Sequence, residues 1–251
     1  MTGRLDLAAI PGLKLVEPGD DLGALIAAAC ARADLPLASG DVVVVAQKIV
    51  SKAEGRRVDL AAVAPSPDAI RLAAATGKDA RLVEVILRES VRVVRTRPGA
   101  LIVQHRLGFV MAHGGVDQSN VEKDCALLLP ADPDGSAAAL RARLRDLTGA
   151  TVGVVINDSA GRAWRRGTVG IALGAAGLPS LLDLRGRPDL FGRPLEVTVV
   201  GFADEIAAAA SLLMGQADEA RPVVRVRGLG WSAPPLPAAA ILRPAAEDLF
   251  R

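Results

Sequence analysis

One carboxylate stands apart by what surrounds it. Asp158 directly follows an apolar, β-branched run at 151–156, and Ser159, Gly161, Arg162, Arg165 and Arg166 come straight after it. Such a run reads as a buried strand, so Asp158 is expected where a strand empties into a loop rich in glycine and arginine, a common place for ligand chemistry. Three arginines beside one acid suit a bound polyanion, with the acid free to hold a divalent metal; a solvated loop whose Asp caps a turn is the alternative. Lys48 and Lys52 follow a second apolar run, 42–46, and are four apart, so in a helix they share a face. That face is either plainly solvated or meets phosphate. The turn Gly114-Gly115-Val116-Asp117-Gln118-Ser119-Asn120 and the stretch from Gln216 to Glu219 add further oxygen ligands. Hard oxygen donors with Lys and Arg nearby fit a magnesium or manganese nucleotide better than a redox metal, which points to phosphoryl or acyl-phosphate chemistry.

Several other chemistries lack their residues. There is no GxxxxGK[ST] and no GxGxxG, so neither a P-loop nor a dinucleotide fingerprint is present. His105 and His113 are the two histidines; they make no zinc spacing and no hydrolase triad. Cys30 and Cys125 lie far apart in apolar contexts and read as buried free thiols of a reducing compartment. A net charge of +2 and aromatics at 2%, with no Tyr, weigh against a nucleic-acid binder. The N-terminal segment has no signal-peptide core, and no apolar run reaches the roughly 18 residues of a membrane span. A cytoplasmic protein with no membrane segment is expected.

The elements that must position these residues can be read from periodicity and punctuation. Pro18-Gly19-Asp20-Asp21 makes a turn that caps a helix over 22–33. A strand is expected at 42–46, a helix at 80–90, and short strands at 91–94, 101–103 and 109–112. A helix over 136–147 is entered from Asp134-Gly135; a strand follows at 195–200. A helix over 203–214 carries Asp204 and Glu205 in its first turn and ends at Gly215, and a last strand covers 223–226. Gly167, Gly170, Gly174 and Gly177 permit either close approach to a ligand or tight helix packing.

Taken in order, these blocks resemble the coenzyme F420-0:L-glutamate ligase (F420 gamma-glutamyl ligase) family. The resemblance covers nearly the whole chain. It rests on Pro18-Gly19-Asp20-Asp21, the segment Val44-Val45-Ala46-Gln47-Lys48-Ile49-Val50-Ser51-Lys52-Ala53-Glu54-Gly55-Arg56, and Gly115-Val116-Asp117-Gln118-Ser119-Asn120. It continues through Asp158-Ser159-Ala160-Gly161-Arg162-Ala163-Trp164-Arg165, Gly174-Ala175-Ala176-Gly177-Leu178, Ala203-Asp204-Glu205-Ile206 and Met214-Gly215-Gln216.

The resemblance implies an α+β fold of two intertwined subdomains with mixed and antiparallel sheets, forming one ligase domain over 1–251 that works as a homodimer. It implies a GTP-dependent amide ligase that adds L-glutamate to coenzyme F420-0 through an acyl phosphate, with further glutamates joined by gamma linkages. Magnesium or manganese at two sites, and potassium, are the implied ions. By position, Asp117 and Asp158 correspond to the carboxylates of one metal, and Ser159 and Gln216 to ligands of a second. Leu13, Lys14, Leu15, Val16, Gln47, Lys52, Asn120, Met214, Gly215, Gln216, Ala217, Asp218, Glu219, Ala220 and Arg221 correspond to the GTP-binding groups. Lys52 suits a phosphate oxygen. Arg162 and Arg165 are candidates for holding the acceptor's phosphodiester or the incoming carboxylate, so Asp117, Asp158, Lys52 and Arg162 form the expected catalytic set; Trp164 is expected to pack.

The chain departs from the family's pattern in four places. Gln47 stands where Ser is frequent, Ser159 where Thr is common, and Lys14-Leu15-Val16 in place of a Pro-containing segment. Thr168-Val169-Gly170 replaces a usual Gln-Thr-Asp, which leaves room for a second reading: the same chemistry on a different phosphodiester-linked acceptor. A nitroreductase-like domain, which some relatives carry after this region, is not expected within the chain. A third reading, a binding protein for the cofactor or for nucleic acid through Arg185-Gly186-Arg187 and Arg165-Arg166, predicts steep salt dependence without GTP hydrolysis.

Overall fold

The computed structural model describes residues 3–248 and shows an α+β fold. Its strands are β1 (Asp6–Ala9), β2 (Val42–Ala46), β3 (Arg57–Asp59), β4 (Ser90–Arg97), β5 (Ala100–His105), β6 (Val110–Ala112), β7 (Cys125–Leu127), β8 (Gly153–Arg162), β9 (Arg165–Ala176), β10 (Leu182–Asp183), β11 (Val199–Val200) and β12 (Val223–Arg227). Its α-helices are α1 (Leu22–Arg32), α2 (Gln47–Ala53), α3 (Pro67–Thr76), α4 (Ala80–Arg88), α5 (Pro133–Thr148) and α6 (Phe202–Met214).

The principal sheet runs β1-β12-β2-β8-β9 and is mixed: β2 and β8 are parallel, and the other neighbours are antiparallel. Its central strand explains the uninterrupted valines. Val43 and Val45 pack with α1 and α5 through Ile26, Cys30, Leu140 and Leu144. Val42 and Val44 pack with α6 through Phe202, Ile206, Ala207 and Ala210. A strand covered on both faces has no polar side to present, so it reads as a continuous apolar run. Fully burying each such side chain stabilises the fold by about 1.5–3 kcal/mol.

A second core lies around the antiparallel sheet β4-β5-β6 and helices α3 and α4, centred on Leu72, Val83, Ile86, Leu101 and Val103. Helix α3 is not among the elements expected from periodicity, although its punctuation is complete: Ser66 caps Ala69 N–H at 3.2 Å, Pro67 opens the helix and Gly77 closes it with φ 68°. Its Ala-rich face gives a weak periodic signal.

Several expectations need correction. The segment after Ile156 is not a loop. β8 continues through Asp158 to Arg162 and pairs with β9 as a long hairpin, Asp158 opposite Ile171 and Arg162 opposite Arg165. The arginines therefore lie toward an exposed hairpin tip, where Trp164 turns with φ 64°. The strand expected at 195–200 is reduced to Val199–Val200. The residues before it fold back on themselves: Pro188 and Pro194 face each other in an isolated bridge whose donors are the N–H groups of Asp189 (2.8 Å, to Arg193) and Leu195 (2.9 Å, to Arg187). Helix α5 starts at Pro133, with Asp132 accepting from Gly135 N–H at 3.0 Å. Asp134 serves tertiary structure instead: its Oδ1 accepts from the N–H groups of Ala175 (2.8 Å) and Ala238 (2.7 Å), and its Oδ2 from that of Ala239 (3.1 Å).

Two glycines of β9, Gly170 and Gly174, are explained by helix packing, whereas Gly167 has nothing within 4 Å and serves a φ of 83°. A Cβ at Gly170 would collide with the Ala207 carbonyl and Ser211 hydroxyl of α6, and one at Gly174 with the Pro133 carbonyl. Asp204, in the first turn of α6, accepts from Ala172 N–H at 2.8 Å and so fixes α6 to the same strand. Cys30 and Cys125 are buried and free, as expected. Among the described residues no helix is long and apolar enough to cross a membrane.

Candidate active site

The parallel pair β2 and β8 puts two chain exits side by side. Ala46 pairs with Asn157, so α2 begins where Asp158 is presented. The C-terminal ends of adjacent parallel strands are the usual place for a ligand crevice. A third segment arrives from the other core. The turn at His113–Gly115 carries φ 60° at Gly114 and 71° at Gly115, and a side chain at Gly115 would run into Leu129. Beyond it Asp117 and Leu127 exchange backbone hydrogen bonds of 3.0 and 2.8 Å, which hold Asp117 against β7. The fourth segment follows α6, where Gly215 turns with φ 74° and Glu219 folds back to accept from Ala217 N–H at 2.8 Å.

These segments enclose a cleft of about 800 Å³. It gathers residues from four distant parts of the chain: Leu13, Lys14, Leu15 and Val16; Gln47 and Lys52; Asn120; and Met214 to Arg221 in sequence. All fifteen positions singled out for the nucleotide line this one cleft, together with Asp158 and Ser159. Arg162 is not among its walls; it sits exposed at the hairpin end, opposite Arg165. Arg185 lies on the 184–198 arm, forked onto Asp183 with bonds of 2.6 to 3.1 Å.

Within the cleft, Lys48 is the most engaged cation. Its Nζ lies 2.7 Å from Asp117 Oδ2 and donates to Ser119 Oγ at 2.5 Å. Ser119 donates its own N–H to Asp117 Oδ1 at 2.8 Å and its hydroxyl to Oδ2 at 2.9 Å. Burial opposes ionisation of Asp117, but the Lys48 ammonium and the Ser119 donors outweigh it and hold the carboxyl below its ordinary value. Asp158 goes the other way. Its burial dominates and pushes it up to about 6, with nearby Asp117 adding to the rise; the Ser159 N–H at 2.8 Å and the charge of Lys48 oppose it. No side chain among the described residues bonds to Asp158. Lys52 likewise forms no ion pair among the described residues. Gln47 is buried, and its Oε1 accepts from Ser51 Oγ at 3.0 Å, so its side chain is occupied internally.

A divalent cation fits this donor set. Two carboxylates lie close to a single lysine, and one of them is held in an environment that penalises its charge. Among the described residues no cluster of three or more Asp, Glu, His or Cys exists. A cation here would therefore draw on Asp117 and Asp158, with water and substrate oxygens completing its shell, which leaves the Ser159 hydroxyl and the Gln216 amide for a second. Magnesium commonly binds this way, through one or two carboxylates and substrate phosphates. Two further participants are Lys48, which the sequence offers alongside Lys52 but the resemblance does not assign, and Asn157, which the sequence does not single out. Lys48 is four residues from Lys52 on α2, a spacing the sequence displays. Asn157 lines the cleft and donates through Nδ2 to Met214 Sδ at 3.2 Å and Ser211 Oγ at 3.3 Å. An isolated Asn at a strand end gives no sign of that.

An α+β chain with a cleft at parallel strand ends, lined by lysines and carboxylates, has the make-up of a site for a polar, charged ligand. The chain belongs to the F420-0:gamma-glutamyl ligase family, whose family model matches residues 12–228. It is 47% identical over 251 residues to the coenzyme F420:L-glutamate ligase of Methanopyrus kandleri, covering 98% of each chain. It is 45% identical to the protein of the same name from Methanothermobacter thermautotrophicus, over 98% of this chain and 99% of the relative. The Methanocaldococcus jannaschii protein of that name is 44% identical over 87% of this chain and 88% of its own.

Proposed function

We propose that this chain joins L-glutamate to coenzyme F420-0 at the expense of GTP. The observation that carries the reading is the cleft itself: separate segments bring Lys48, Lys52 and Asp158 to its walls, with Asp117 paired to Lys48. The names of the relatives point to coenzyme F420 and L-glutamate, and the use of GTP rests on the resemblance of the cleft-lining segments. The terminal carboxylate of the acceptor takes the γ-phosphoryl group, forming an acyl phosphate and releasing GDP. The amine of L-glutamate then attacks the carbonyl carbon, the C–O bond to phosphate breaks, and the amine proton leaves to solvent. A second glutamate joins by a gamma linkage in a repeat of the same cycle.

The chain's own residues answer the central difficulty, which is bringing a triphosphate and a carboxylate together. In this reading Lys52 contacts a phosphate oxygen. The backbone at Leu13 to Val16 and the segment from Met214 to Arg221 frame the nucleotide, with Gln47 and Asn120 at its edges. Asp117 and Asp158 would hold one divalent cation, and Ser159 and Gln216 a second; magnesium or manganese would supply charge neutralisation and orientation of the phosphates. Potassium is a further expected ion. Arg162 serves the acceptor or glutamate from the hairpin tip. The proposed setting is the cytoplasm, and the proposed state is a homodimer, for which exposed Leu190 and Phe191 on the 184–198 arm and Leu212 on α6 offer apolar surface.

A second reading keeps the chemistry and changes the acceptor. Its support is the Thr168-Val169-Gly170 departure, although Gly170 itself faces α6 and does not line the cleft. Mass spectrometry of purified protein with F420-0, L-glutamate, GTP and manganese tests both. A gain of one or more glutamyl units that requires GTP is the expected result. GTP cleavage without that gain supports the different acceptor. Absence of both GTP binding and product overturns the proposal.

A further inference from the structure

We propose that Lys48 couples cation binding to nucleotide binding by exchanging Asp117 for phosphate. The inference rests on the GTP and divalent-cation reading of the same cleft. Lys48 and a divalent cation are rivals for one carboxylate. Both oxygens of Asp117 are engaged: Oδ1 by Ser119 N–H, and Oδ2 by the Lys48 ammonium and the Ser119 hydroxyl. A cation that takes Asp117 and Asp158 must displace the ammonium from Oδ2, since both need the same lone pairs. The cation also brings two positive charges beside the one on Lys48. Like charges a few ångströms apart repel strongly where water is partly excluded.

The displaced ammonium stays within reach of the cleft, because Lys48 already lines it. Lys48 and Lys52 are four residues apart on α2, and both line the cleft. The lysine stem is flexible, and its three donors rotate freely. Lys48 therefore swings from Asp117 into the cleft beside Lys52, where it meets the nucleotide's phosphates. Without the cation Lys48 stays on Asp117 and adds little to the anion's affinity. With the cation it becomes a phosphate contact, so metal and nucleotide reinforce one another beyond any bond between them.

The test is a cycle with GDP and Mn²⁺ as probes, using the full chain and its Lys48→Met and Lys48→Arg variants. Calorimetry gives the GDP affinity with and without saturating Mn²⁺, and electron paramagnetic resonance of free Mn²⁺ gives the cation affinity with and without GDP. Lys48→Met is expected to leave GDP affinity without cation within about twofold and to weaken it about tenfold or more with Mn²⁺. By reciprocity, the GDP-induced gain in Mn²⁺ affinity shrinks by the same factor. Mn²⁺ alone binds the variant more tightly, because its rival is gone, and Lys48→Arg restores part of the coupling. An equal loss of GDP affinity in both conditions makes Lys48 an ordinary phosphate contact and overturns the exchange. An unchanged GDP affinity in both makes it a partner of Asp117 alone, which overturns the exchange as well. Wild-type protein that binds no GDP under either condition overturns the nucleotide reading itself, and the coupling with it.

Discussion

Asp117 and Asp158 sit beside the same lysine, and their surroundings drive them apart: Asp117 is held below its ordinary value and Asp158 is raised to about 6. Lys48 bonds to the first and only acts at a distance on the second. A pair split in this way keeps one carboxylate ionised throughout the physiological range and makes the other sensitive to what else enters the cleft. A proton and a divalent cation are then competitors for Asp158.

This split has a consequence for stability without metal. The unfolded carboxyl of Asp158 ionises above about 3.8, the folded one only above about 6. Above pH 6 the folded protein therefore carries the cost of a buried charge; between 6 and 4 the cost fades, and below 4 it is absent. The shift corresponds to roughly 3 kcal/mol at full ionisation. Asp158→Asn is expected to melt higher than wild type at pH 7.5 in chelator, with the gap closing as the pH falls to about 4. Thermal unfolding across that range checks it; a gap that does not change with pH would place the carboxylate in a solvated setting.

Lys52 is expected to matter for the nucleotide and little for the fold. It lines the cleft without an ion partner among the described residues, so removing it leaves no carboxylate stranded. Lys52→Ala should weaken GTP binding by about 1.5–3 kcal/mol, the range for hydrogen bonds to charged groups, while the melting temperature stays close to wild type. An unchanged GTP affinity would exclude Lys52 from the phosphate site.

The contact between Gly170 and Ala207 predicts an overpacking defect. Gly170→Ala inserts a methyl group where the α6 backbone already lies, and should cost about 1–3 kcal/mol in denaturant unfolding. Gly170→Asp should cost more, because its charge is buried as well. A stable Gly170→Asp protein would show that α6 can retreat from β9.

Asp134 ties three backbone donors from two segments to the start of α5. Asp134→Ala leaves those N–H groups short of partners and should destabilise the fold by about 2–4 kcal/mol. Asp134→Asn, which keeps an acceptor, should recover part of the loss. Equal stability of Ala and wild type in urea titration would mean that water replaces the carboxylate without penalty.

Much of this molecule is legible in its sequence. The valines at 42–45 and the run at 151–156 announce the centre of the principal sheet, since a strand buried on two faces must be apolar throughout. Local capping marks the start of α1 through Asp21, whose Oδ1 accepts from Ala24 N–H at 3.0 Å. Motif order across the chain points to the family and to the residues that line one cleft. Other features depend on partners far away in sequence. Asp158 is expected in a loop, but β9 supplies its pairing partner from later in the chain and turns that loop into a strand. Asp134 resembles a helix cap until Ala175 and Ala238 arrive to use its oxygens. Gly170 and Gly174 admit two readings, and the approach of α6 to the first and of the start of α5 to the second decides between them. The opposite shifts of Asp117 and Asp158 arise from burial and from one lysine placed between segments that are distant along the chain. Local propensity and composition act through neighbours along the chain, whereas solvation and charge act through neighbours in space, and only folding fixes those.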